Sequence, residues 1–103
     1  MKYPISSLQA DIKNCIEMCN VEITKRKNGI NGESTLEQLE SVILPELKEL
    51  LKRIEENNLP IQSERYLNSF AYAFKVWGWN METPSALFIK LTEINNNYGQ
   101  LEE

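Results

Sequence analysis

Apolar side chains in this chain recur every three or four positions in four separate stretches, and that period selects helices over strands. In the first stretch Ile5, Leu8, Ile12, Cys15, Ile16, Cys19 and Ile23 fall within an arc of roughly 100°, the stripe of a half-buried helix. This helix is expected from about Ser6 or Ser7 to Lys27. Lys25, Arg26 and Lys27 crowd its last turn, where positive charge complements the carbonyl end of the dipole. Asn28-Gly29-Ile30-Asn31-Gly32 then ends it and reverses the chain.

The second stretch opens on Ser34-Thr35-Leu36-Glu37, a capping-box pattern with Ser34 as the cap. Leu36, Leu39, Ile43, Leu47, Leu50, Leu51 and Ile54 form its stripe. Pro45 falls in the middle, where a proline costs about 3 kcal/mol and leaves the Ser41 carbonyl without its donor. The stripe keeps its phase across Pro45 and Leu44 is a poor cap, so one helix kinked at Pro45 is expected rather than two short ones. It should end near Asn57-Asn58.

The third stretch begins with Ser63 as cap and Glu64 in the first turn. Tyr66, Leu67, Phe70, Ala71, Ala73, Phe74 and Trp77 cover roughly 160°, an arc wide enough to place this helix at the centre of the core. Gly78 ends it. Thr83-Pro84 announces the fourth, with Leu87, Phe88, Leu91, Ile94 and Tyr98 inward and Gly99 as the stop. The connections are about four to seven residues, so successive helices should run antiparallel. The 103 residues therefore read as a single all-α domain over 1–103, an asymmetric up-and-down four-helix bundle with its second helix kinked at Pro45.

Composition narrows the function more than any motif does. The chain has no histidine, which removes the commonest general acid/base and metal ligand. Its 11 Lys+Arg against 15 Asp+Glu give a net charge of −4, opposite in sign to a nucleic-acid footprint. Cys15 and Cys19 lie four apart on the apolar stripe, a geometry poorly suited to a disulfide and well suited to core packing. With no other Cys and no His, tetrahedral zinc has too few ligands. Neither a glycine-rich phosphate loop nor a Ser-His-Asp set is present. The start, Met1 to Ser7, carries no apolar run, and the thiols look reduced, so a cytoplasmic protein without cofactor, metal, nucleic acid or membrane is expected.

What remains is surface. Glu37, Glu40, Glu46, Glu49, Glu55 and Glu56 decorate the second helix, chiefly as a solvated face, with Glu46, Glu49 and Glu56 as candidates for an acidic docking face. Lys25-Arg26-Lys27 fits a dipole partner better than a phosphate grip. Eight of the nine aromatics lie between Tyr66 and Tyr98, and Trp77-Gly78-Trp79 sets two indoles across a turn. Trp79 is expected to cover the open end of the bundle, with an exposed anchor as the alternative reading, and Tyr72 on the polar side of its helix is a candidate exposed anchor. Met18, Val21, Val42, Val76 and Ile89 also stand off their stripes, and several together would form a partner patch.

These features predict a small acidic, non-enzymatic module that binds and masks a protein partner through Tyr72, Trp79, Val76, Ile89, Glu46, Glu49 and Glu56. Bacterial immunity proteins, small acidic inhibitors of basic toxins, are one instance of that class. A homodimer joined through the off-stripe apolar residues is the alternative. A small-ligand carrier or enzyme with a pocket between the third and fourth helices ranks third.

Overall fold

Each regular element of the computed structural model is helical, and no strand occurs among the residues it describes, 4–32, 34–59, 65, 67–79, 82 and 84–100. Helix α1 spans Ile5–Lys27 and starts behind an extended Pro4. Its predicted stripe is the buried one: Leu8, Ile12, Cys15, Cys19 and Ile23 face the core, while Ile5 at the first turn is exposed. The helix closes when the Ile30 amide donates back to the Lys25 carbonyl at 2.9 Å.

The second helical stretch has three parts. A short α2 (Leu36–Gln38) leads into a π-helical turn over Leu39–Ile43, and α3 follows over Leu44–Glu55. The cap is Thr35 rather than Ser34. The Thr35 hydroxyl accepts the Gln38 amide at 3.1 Å, and the Gln38 side chain accepts the Thr35 amide at 3.0 Å. Ser34 sits one residue early because its side chain and carbonyl are both held by Arg26.

Pro45 lies in the first turn of α3, directly after the π turn, where the Leu44 amide reaches five residues back to the Leu39 carbonyl. That wider turn is a recognised accommodation of an interrupted ladder. Backbone dihedrals stay helical through Leu39, Ile43 and Leu44. Leu39, Ile43, Leu47, Leu50 and Ile54 remain buried on both sides of it. At about 1.5–3 kcal/mol for each such side chain, packing outweighs the proline penalty of about 3 kcal/mol.

Helix α4 is shorter than the sequence predicts, covering Asn68–Lys75 behind an extended Leu67. Ser63, Glu64, Tyr66 and the side chains of Phe70 and Phe74 lie outside the described residues. The start is set by two distant side chains. The Leu67 amide donates to Asn95 Oδ1 at 2.7 Å, and the amides of Asn68 and Ser69 donate to the Glu46 carboxylate.

Helix α5 runs Ala86–Gly99 with Leu87, Phe88, Leu91, Ile94 and Tyr98 buried, the predicted stripe in full. Its cap is Ser85, whose hydroxyl accepts the Phe88 amide at 3.2 Å, two residues beyond the predicted Thr83, itself outside the described residues. Helix α1 lies against both α3 and α5, and α4 lies against α5. Among the described residues the α1 stripe is thus the one that both α3 and α5 pack against. A largely buried ion pair, Lys90 Nζ to Asp11 at 3.1 Å, ties α5 to α1.

Candidate functional site

Four rings descend from the surface into the core next to α4. Tyr72 is 44% exposed and stands 5.9 Å from Trp77 between ring centroids. Trp77 is 5.4 Å from Trp79, and Trp79 meets the buried Phe88 edge-on at 5.5 Å. Trp79 itself is only 4% exposed, which fits its reading as a packing residue and corrects the alternative of a surface anchor. The reason is local. Gly78 takes a φ of +68°, a conformation costly for side chains with a Cβ, and this turns the chain back so that the Trp79 amide donates to the Ala73 carbonyl. The indole is carried inward, and its Nε1 finds no hydrogen-bond partner among the described residues.

Tyr72 and Val76 are one helical turn apart and share the outer side of α4, with Val76 69% exposed. Ile89 is also exposed, on α5, where it borders a hollow of about 230 Å³ together with Pro84, Phe88, Thr92 and Glu93.

The three candidate carboxylates do not act alike. Glu46 is half-buried and turned inward: Oε1 accepts the Ser69 amide (2.8 Å) and hydroxyl (2.6 Å), and Oε2 accepts the Asn68 amide (2.7 Å). It caps α4 and is not free for a partner. Glu49 faces solvent and pairs with Arg53 at 3.3 Å. Glu56 is exposed at the end of α3, two turns beyond Glu49 on the same side.

A second concavity lies elsewhere. A groove of about 420 Å³, open on one side, separates the middle of α1 from the start of α5. Met18, Val21, Ala86 and Leu87 give it apolar walls, and Asn14, Glu17, Glu22, Arg26, Ser34 and Ser85 give it a polar rim. The off-stripe positions of Met18 and Val21 signal it in the sequence. The facing segment around Ser85 carries no such signal, because only tertiary packing brings it there.

Arg26 builds one end of this groove. Its guanidinium is 8% exposed and donates to the Ser34 carbonyl (2.6 Å), the Ser34 hydroxyl (3.2 Å), Glu22 Oε1 (2.9 Å) and, at a longer 3.4 Å, the Ile30 carbonyl. It clamps the turn after α1. Burial pulls the Glu22 carboxyl upward, but hydrogen bonds from Lys25 and Arg26 and their charges outweigh it, and the acid is stronger than usual. Lys27 approaches Glu40 at 3.9 Å.

Cys15 and Cys19 are free and fully buried. The hydrogen bond to Cys19, then burial, push the Cys15 thiol far above its ordinary range, which suppresses the thiolate that nucleophilic or metal chemistry needs. Among the described residues no three Cys, Asp or Glu gather to hold a metal ion, and no helix is long and apolar enough to cross a membrane. The described residues thus present exposed apolar side chains at Tyr72, Val76 and Ile89 and a groove with a polar rim. Comparison of the chain with protein-family models, curated proteins and solved structures finds no match.

Proposed function

We propose that this chain is a small acidic, non-enzymatic interaction module of the cytoplasm that acts by binding and masking a protein partner, in the manner of an immunity protein or antitoxin opposing a basic toxin. Its frame is an up-and-down four-helix bundle, asymmetric, with the second helix bent where the π turn meets Pro45.

The observation that carries this reading is the Tyr72–Val76 pair. Two large side chains with apolar surface stand exposed on one side of an eight-residue helix, and a tilted stack of indoles supports Tyr72 from below. A rigid exposed tyrosine is the type of residue that dominates interface energetics, because it loses little freedom on binding. Ile89, Glu49 and Glu56 are likewise exposed and are the further partner contacts of this proposal, and the net charge of −4 favours a cationic partner by speeding encounter. Trp79 and Glu46 support this surface from inside rather than touching the partner.

Affinity capture from the native source, with the wild-type chain and a Tyr72→Ala/Val76→Ser variant as baits, tests it. The expected result is one basic protein recovered by the wild type, bound at least about tenfold more weakly by the variant and more weakly by both at raised salt. Equal binding by the two baits would remove the ridge from the interface. A homodimer at micromolar concentration in light scattering, dispersed by the same substitutions, would assign the ridge to self-association instead.

A further inference from the structure

We infer that the groove between α1 and the start of α5 is a second docking site, which receives a segment of the protein partner presenting an aliphatic side chain next to a Lys or Arg. The inference rests on the reading of the chain as a protein-binding module and adds the chemistry of what it recognises.

Three features select this occupant. The walls at Met18, Val21, Ala86 and Leu87 are apolar, and methionine adapts to irregular aliphatic shapes. Val21 is largely exposed and thus gains from being covered. Among the described residues the rim carries two carboxylates, Glu17 and Glu22, and one cation, Arg26. Arg26, the cation lining it, is already engaged by Glu22 and by Ser34, whereas Glu17 is exposed and forms no ion pair among the described residues. Glu17 stands one turn before Val21 and one residue before Met18, so a cation flanking an inserted aliphatic side chain meets it.

The site is also preformed. The Arg26 hydrogen bonds fix the turn at one end, and Ser85 caps α5 at the other, so a segment binds without ordering either wall. A volume of about 420 Å³ suits one or two side chains and the backbone between them better than a whole helix. Glu17 disfavours an acidic or purely apolar occupant, since its carboxylate would be covered without a partner.

The test is amide chemical-shift mapping on the full chain with a short blocked peptide of alternating Leu and Lys. Two control peptides carry Leu→Ser with the same charge, or Lys→Glu with the same leucines. Saturable shifts centred on Met18, Val21 and Leu87 are expected with the Leu/Lys peptide and with neither control. Val21→Lys, a change at an exposed position, should remove binding, and Glu17→Gln should weaken it about two- to fivefold, the scale of an exposed rim charge. Binding that persists in Val21→Lys, or that follows peptide charge alone, overturns the inference. So do shifts centred on Tyr72 and Val76, or groove shifts that grow with protein concentration in the absence of peptide. If the peptide fails while Tyr72→Ala still loses the native partner, the groove assignment falls and the interaction-module reading stands.

Discussion

Glu46 on α3 holds Ser69 on α4 through both the amide and the hydroxyl of that serine, at 2.8 and 2.6 Å, so one helix supplies the N-terminal cap of another. The carboxylate sits where the helix dipole is positive and where unsatisfied amides collect. The residue at the cap position itself, Leu67, makes no side-chain capping hydrogen bond.

Removing that carboxylate should loosen the α4 end of the molecule. Glu46→Ala is expected to cost about 1–3 kcal/mol, because it leaves the buried Ser69 hydroxyl and two amides without an acceptor. Glu46→Gln keeps an acceptor and should cost less. Urea denaturation of the single variants and of Glu46→Ala/Ser69→Ala gives the coupling, expected to be at least about 0.5 kcal/mol. Additive effects would mean the two residues act independently.

A side chain at Gly32 would have to displace the Arg26 guanidinium from its clamp. A Cβ at Gly32 would overlap the guanidinium, which four hydrogen bonds hold in place. Gly32→Ala should cost about 1–3 kcal/mol and remove hydrogen-exchange protection from the Ile30 amide, which donates to Lys25. The clamp is pH-dependent through Glu22. Its acid is stronger folded than its ordinary value of 4.5, so the unfolded chain takes up the proton first. The stabilisation is therefore complete above that value and fades as pH falls through the lower folded one. Denaturation series at decreasing pH should show a shallower decline in Glu22→Gln than in the wild type; identical slopes would exclude the pair as a source.

Trp79 offers a test of its unpartnered indole. Trp79→Ala should cost about 3–5 kcal/mol as a buried aromatic truncation. Trp79→Phe loses part of the ring but also removes a buried N–H without an acceptor, two effects of opposite sign, and should stay within about 1.5 kcal/mol of the wild type. A Phe variant as damaged as the Ala variant would show that the indole N–H is satisfied in solution. Thermal melts of the three proteins decide this.

The stripes are the legible part of the chain. Leu8-Ile12-Cys15-Cys19-Ile23, Leu39-Ile43-Leu47-Leu50-Ile54 and Leu87-Phe88-Leu91-Ile94-Tyr98 are written at helical spacing and are buried as written. Pro45 alone implies a mid-helix proline to be accommodated, but not that the turn ahead of it widens to a π turn. The caps are Thr35 and Ser85 rather than Ser34 and Thr83, because Ser and Thr cluster at both starts and propensity ranks them nearly alike. Of the candidate surface residues, Tyr72, Val76 and Ile89 are exposed, whereas Trp79 and Glu46 are drawn inward. Met18 and Val21 read as off-stripe apolar positions, but the groove they line with the start of α5 is not where the sequence places a pocket, between the third and fourth helices.

Sequence alone determined that the chain is helical, which side of α1, α3 and α5 is buried, and which residue types are absent, since those follow from period and composition. Tertiary structure decided where α4 begins, where Trp79 points, which carboxylate remains at the surface and where a groove opens. Each of these depends on a partner distant in the chain or on a turn set by a single glycine: Asn95 for Leu67, Glu46 for Ser69, Gly78 for Trp79, and the approach of Ser85 to α1. Local periodicity carries information about one helix at a time, and a hydrogen bond between helices is outside its reach.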